Sequence, residues 1–122
     1  MIDEGPRRNL LLLNEAVALL ASSAHNQREW MKYNGQGIDE MRLQLLDVGS
    51  CLFPLYRENE LIDFADESAV TALELHLNSK LANDELFRNW KSVKNDPFWR
   101  EARRLAMVAQ ATLGRAASER MP

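Results

Sequence analysis

The sequence predicts an all-α protein, a compact bundle of about five helices with the first one long and central. Three observations carry that prediction. Apolar residues recur at three- and four-residue steps through most of the chain, the spacing of helix faces. An edge strand is the alternative over residues 55–65, but nothing elsewhere in the sequence offers it a partner. The breaks between periodic stretches carry helix punctuation, with Asp96-Pro97 before a stripe and Gly35 and Gly114 after others.

The first helix is expected over residues 6–33. Pro6 suits an opening turn, where a missing N–H does no harm. Leu10, Leu13, Val17, Leu20, Ala24 and Met31 share one face. Leu12, Ala16, Leu19, Ser23 and Trp30 form a second series roughly 120° away. A surface helix shows a single apolar stripe. Two stripes predict that this helix is covered on two sides, by its own chain or by another copy. The Asn34-Gly35-Gln36-Gly37 stretch should end it, because glycine readily takes the left-handed C-cap conformation. Gly35-Gln36-Gly37 lacks the preceding strand and third glycine of a dinucleotide loop, so it reads as a connector.

The second helix should begin near Asp39, with Ile38, Met41, Leu45, Val48 and Leu52 facing inward and Pro54 ending or kinking it at Phe53. A helix-turn-helix centred on Gly49 would place Pro54 in its recognition helix, an unfavourable arrangement. Residues 55–65 read as a short helix or ordered loop. Glu58, Glu60, Asp63 and Asp66 lack the alternating oxygen ligands and turn glycine of a hard-cation loop, so they are expected to form a solvated acidic face. Asp66 is expected to cap a third helix whose stripe is Val70, Leu73, Leu77 and Leu81. Asn83 or Asp84 should start a fourth, to about Lys94, with Leu86, Phe87, Trp90 and Val93 inward. The fifth runs from the Asp96 cap to Gly114 on a stripe of Phe98, Ala102, Leu105, Ala109 and Leu113. Residues 1–5 and 115–122 are expected to be loose ends of one domain spanning residues 1–122.

The chain of 122 residues is long enough to bury roughly two thirds of its unfolded surface. Its 46% apolar and 27% charged content is ordinary for a globular domain. Cys51 is the single cysteine, which excludes an intrachain disulfide and a cysteine-based zinc site. A cytoplasmic setting is expected. Arg7, Arg8 and the leucines after them only faintly resemble a secretory signal, since Asn14 and Glu15 interrupt the apolar run.

Chemistry-bearing motifs are absent from the sequence. Neither His25 nor His76 has a glutamate three residues before it, as bundle metal sites use, and Gly49-Ser50-Cys51 lacks nucleophile-elbow spacing. No catalytic residue, cofactor or metal is expected. Charge is the informative feature. The net charge is −3, yet residues 1–87 hold 7 basic and 15 acidic side chains, and residues 88–122 hold 8 basic and 3 acidic. The two ends either fold against each other or leave a basic surface for an acidic partner.

The leading expectation is a protein-interaction module (adaptor, inhibitor or immunity protein, or small subunit), self-associating or with another protein. Its candidate contacts are Trp99, Arg100, Arg103, Arg104 and Met107 on the fifth helix and Leu12, Leu19 and Trp30 on the first, because arginine, methionine and aromatics mark contact surfaces. The alternative is nucleic-acid binding through Arg88, Lys91, Lys94, Arg100, Arg103 and Arg104, a cation set suited to phosphates. A third reading, a small-ligand binder or enzyme using His25, His76 and the acids from Glu58 to Asp66, has no convergent spacing behind it. No membrane contact is expected.

Overall fold

The computed structural model describes residues 4–81 and 84–120. Among these there is no strand. The chain runs α1 (Glu4–Ala21), α2 (Ala24–Asn34), α3 (Asp39–Val48), a 3-10 turn (Ser50–Leu52), α4 (Phe53–Glu58), α5 (Phe64–Leu77), a second 3-10 turn (Glu85–Phe87), α6 (Trp90–Asn95) and α7 (Pro97–Arg120). The predicted all-α bundle is what forms. Its framework is α7 packed along both α1 and α5, with α1 also against α3 and α2 against α6. No helix is long and apolar enough to cross a membrane among the described residues.

The expected first helix is two. Ser22 turns its hydroxyl back onto the Leu19 carbonyl at 2.6 Å, and the Ser23 side chain accepts from Asn26 N–H as the N-cap of α2. Serine offers the backbone a local alternative to the helical ladder, and two in succession end one helix and start the next. Gln27, fully buried, then donates through Nε2 to the Leu19 and Leu20 carbonyls at 3.1 and 3.2 Å, satisfying the orphan end of α1. The first stripe survives the break: Leu13, Val17 and Leu20 are wholly buried and Met31 nearly so. Burying each is worth about 1.5–3 kcal/mol. The second stripe is only partly covered. Ala16 is buried and Leu19 and Trp30 pack against the core, but Leu12 is 43% exposed. At Gly35 the chain takes φ 64°, and the Gln36 N–H reaches the Met31 carbonyl at 3.0 Å, a left-handed cap that ends α2 where expected.

Pro54 behaves opposite to expectation. The break after α3 comes at Gly49, and Pro54 sits in the first turn of α4, where its lack of an N–H does no harm. Tyr56 in α4 is fully buried and donates to the Val48 carbonyl at 2.5 Å; burial, with Cys51 nearby pushing the same way, raises its pKa to about 12. α4 ends with Glu60 in the left-handed region at φ 55° and the Leu61 N–H on the Tyr56 carbonyl at 2.9 Å. Residues 55–65 are therefore a short helix with a defined turn.

Four further boundaries differ. The cap of α5 is Asp63, not Asp66. The Asp63 carboxyl accepts from Asp66 N–H and Asp66 reaches back to Asp63 N–H, both at 3.0 Å, a reciprocal box built from two aspartates. α5 stops at Leu77, so Leu81 lies beyond it and is 77% exposed. The expected fourth helix is a 3-10 turn plus α6, because Asn89 caps afresh by accepting from Lys91 N–H at 2.9 Å; Asn83 lies outside the described residues. α7 opens as expected, with the Asp96 carboxyl accepting from Phe98 N–H at 2.9 Å. It then passes through Gly114 to Arg120. One glycine costs about 1 kcal/mol in a helix, and the alanine- and arginine-rich residues after it favour continuation. Only residues 1–3 and 121–122 of the expected loose ends lie outside the described residues; Glu4 and Gly5 are helical.

A candidate interaction groove between α2 and residues 86–90

Of the expected contact residues, Trp99 is the clearest correction. It is wholly buried, its indole N–H donates to the Leu86 carbonyl at 2.8 Å, and it meets Phe87 and Phe98 edge-on at 5.8 and 5.5 Å between ring centres. A tryptophan with a satisfied N–H among other rings is a core residue. Arg103 is also turned inward. Its guanidinium donates to the Val93 carbonyl at 3.0 Å and to Gln27 Oε1 at 3.3 Å, tying α7 to α6 and α2. Burial, then neighbouring Arg100, draws its pKa below that of a free guanidinium. Arg100, Arg104 and Met107 remain on the outer face of α7, with Arg104 held by Glu101 at 2.7 Å. The Leu12–Leu19–Trp30 series does not join them into one surface: Leu19 and Trp30 pack against the core.

The ion pairs among the described residues are local. They are His25–Glu29, Asp39–Arg42 and Arg57–Glu67 within residues 1–87 and Glu101–Arg104 within residues 88–122. Among the described residues, Arg88, Lys91, Lys94 and Arg100 are exposed with no carboxylate in contact. Local acid is used internally instead. Glu74, 7% exposed, spans from α5 to the start of the first 3-10 turn and accepts from Ser50 N–H at 2.8 Å and from the Ser50 hydroxyl. Asp66 is 1% exposed, and among the described residues its Oδ1 has no hydrogen bond of ordinary geometry. Its burial raises its pKa, and the charge of Asp63 adds to that; the Asp63 N–H and the Thr112 hydroxyl pull the other way.

What the fold does assemble is an open groove of about 530 Å³ between α2, the α2–α3 connection and residues 86–90. Its apolar lining is Met31, Ile38, Phe87 and Trp90, and its cations are Arg28, Lys32 and Arg88. Gln36 and Gly37 complete it, and no carboxylate lines it. Arg28 and Lys32 stand one helical turn apart on α2, so they present charge along the same wall. The Arg28 guanidinium lies 5.7 Å from the Trp90 ring centre, a cation–π distance. From behind, Phe87 is steadied by Arg42, whose guanidinium is 5.3 Å from its ring and is fixed by Asp39 at 2.7 Å and Asn78 at 2.9 Å. A second depression of similar volume shares Lys32 and is otherwise lined by Glu29, Trp30, Tyr33 and Asn34, with Tyr33 92% exposed. Cations and aromatics thus recur along the C-terminal half of α2, with Glu29 between them.

Sequence reasoning selected Arg88 and Trp30 but not Arg28, Lys32, Tyr33 or Trp90. The available signal was local, two cations four residues apart interleaved with Trp30 and Tyr33. It gained meaning only when α6 docked beside α2.

The groove offers no acid–base pair for chemistry. His76 is engaged with the Phe98 carbonyl at 2.8 Å and stacked on the Phe98 ring, while His25 lies exposed beside Glu29. Among the described residues, no group of three or more His, Cys, Asp or Glu side chains is placed to hold a metal ion. No family model, curated protein or solved structure matches the chain.

Proposed function

We propose that this chain is a helical protein-interaction module and that the groove beside α2 takes an acidic, partly apolar segment of a protein partner. The observation that carries the reading is the groove's composition, with Arg28, Lys32 and Arg88 around Met31, Ile38, Phe87 and Trp90 and no carboxylate. Such a site rewards a ligand that brings both negative charge and apolar side chains. In a protein of net charge −3, a carboxylate-free cationic groove is a local inversion of sign.

The test is fluorescence anisotropy with a labelled peptide of alternating Asp/Glu and Leu/Phe, beside its Lys/Arg counterpart and a single-stranded oligonucleotide of equal charge. The acidic peptide should bind, weaken as salt rises, and be released by at least tenfold in Arg28→Glu and Arg88→Glu. No binding, or binding indifferent to both reversals, overturns the proposal.

A second reading, nucleic-acid binding, draws on Arg88, Lys91, Lys94 and Arg100, which meet no carboxylate among the described residues. It is the weaker because the Trp90 ring already carries the Arg28 guanidinium, which competes with a stacking base. Stronger retention of the oligonucleotide than of the peptide would reverse that order.

A further inference from the structure

The turn that joins α4 to α5 presents the chemistry that the groove beside α2 selects. Glu58 and Glu60 are exposed and form no ion pair among the described residues. Phe64, at the start of α5, is 82% exposed. The neighbouring charges are already engaged. The Arg57 guanidinium lies on the Glu67 carboxylate at 2.7 and 2.6 Å, and the Asp63 carboxyl accepts from the Asp66 N–H at 3.0 Å. What the turn leaves for a partner is two carboxylates and one aromatic ring within seven residues. The backbone holds them in a fixed shape. The Glu60 N–H reaches the Arg57 carbonyl at 3.0 Å, Glu60 takes φ 55°, and the Leu61 N–H reaches the Tyr56 carbonyl at 2.9 Å. A segment already in its bound shape gives up little conformational entropy on docking.

We propose that the acidic partner of the groove is a second copy of this chain, which inserts its 58–64 turn. The inference rests on the reading of the groove as a site for an acidic, partly apolar segment. Charge complementarity carries it. One side brings Arg28, Lys32 and Arg88 with no carboxylate among the lining residues, and the other brings Glu58 and Glu60, each without a cation. Phe64 supplies the apolar part, against Met31, Ile38 and Trp90. The turn does not serve its own groove. None of residues 58–64 lines it, and α4 packs chiefly on α1 and the first 3-10 turn while α2 meets α6. Turn and groove are different surfaces, so the contact is head-to-tail. Each pair keeps one free turn and one free groove, and assembly continues past the dimer as concentration rises. One turn in one groove is a small interface, so each link is expected to be weak, with a dissociation constant on the order of 100 μM.

Sedimentation velocity from about 10 μM to about 1 mM, the range bracketing that affinity, should show mean mass rising with concentration and falling back as salt is added. Arg28→Glu/Arg88→Glu disables the groove and Glu58→Lys/Glu60→Lys disables the turn, all at exposed positions. Each double variant alone should stay monomeric with its melting temperature unchanged. Phe64→Ser should weaken the parent's association about tenfold, the share of one buried ring. Mixed in equal amounts, the two double variants should form a dimer that grows no further, because the turn of the first fits the groove of the second and the remaining ends are dead. A parent of constant monomer mass overturns the proposal, as does association that survives either double variant or a mixture that stays monomeric. The labelled acidic peptide separates this failure from the other. If it still binds a monomeric parent, the second copy is the wrong partner and the groove reading stands; if it binds neither the parent nor the turn variant, both fall together.

Discussion

Replacing Gly49 by alanine tests how the chain is joined at the end of α3. A Cβ there would overlap the Glu74 carboxyl oxygen and stand 2.9 Å from the Leu45 carbonyl. The Glu74 side chain can retreat, but only by leaving Ser50, whose N–H and hydroxyl it accepts. Ser50 is exposed and regains water, so losing the two bonds is worth about 1–2 kcal/mol rather than the larger figure of a sealed site. Relief of the contact with the fixed Leu45 carbonyl adds about 1 kcal/mol. Gly49→Ala should therefore cost about 2–3 kcal/mol. Glu74→Ala removes the same two bonds and the packing of a buried stem, for a comparable loss. In that background alanine at position 49 meets only the backbone contact, about 1 kcal/mol. The two substitutions should thus be non-additive by about 1–2 kcal/mol, the double variant being more stable than the sum predicts. Urea unfolding of the four proteins measures this. Additivity within about 0.5 kcal/mol would refute the reasoning.

Two other expectations concern buried polar groups. Burial raises the Asp66 pKa, so the folded state holds that proton more tightly than the unfolded chain, and the group's stabilising contribution is full at acid pH and lost as pH rises through its folded pKa. Asp66→Asn should gain stability relative to the parent between about pH 4 and pH 7. Glu67, whose pKa Arg57 lowers, has the opposite sign: its contribution is full above the ordinary glutamate pKa and lost as pH falls through the lowered one, so Glu67→Gln should be least favourable relative to the parent above about pH 4.5 and draw level with it as pH falls below that; denaturant titrations at each pH check both, and a pH-independent difference for Asp66→Asn refutes the first. Arg103→Met should cost about 1–3 kcal/mol by stranding the buried Gln27 carbonyl while leaving peptide affinity at the groove unchanged, and a variant with altered affinity but parental stability would restore Arg103 to the contact surface.

The core was legible because burial follows period. Leu13, Val17, Leu20, Met41, Leu45, Val70, Leu73, Ala102, Ala109 and Leu113 all lie on the stripes that spacing selects, and all are buried. Boundaries were less legible because short polar side chains decide them in competition with one another. Ser22 and Ser23 broke a stripe that continued in register, Asn89 divided a segment of helical period, and Asp63 won the cap from Asp66 through a partner three residues on. Trp99 sat at the margin of its stripe; what drew it inside was a carbonyl acceptor at Leu86, thirteen residues away. The groove was illegible for the same reason, since Arg28 and Lys32 on α2 acquire Arg88 and Trp90 only through packing.

The division of α1 from α2 at Ser22–Ser23 makes the cationic wall a separately mounted piece. α2 has eleven residues and α6 six; they are seated in the core by Met31 and Val93 and tied to the longer helices through Gln27 and Arg103. Short elements held by few polar ties detach at lower free energy than a shared core. Local opening is therefore expected at this wall before the α1–α5–α7 framework, which in the proposed role would let the groove adjust its width.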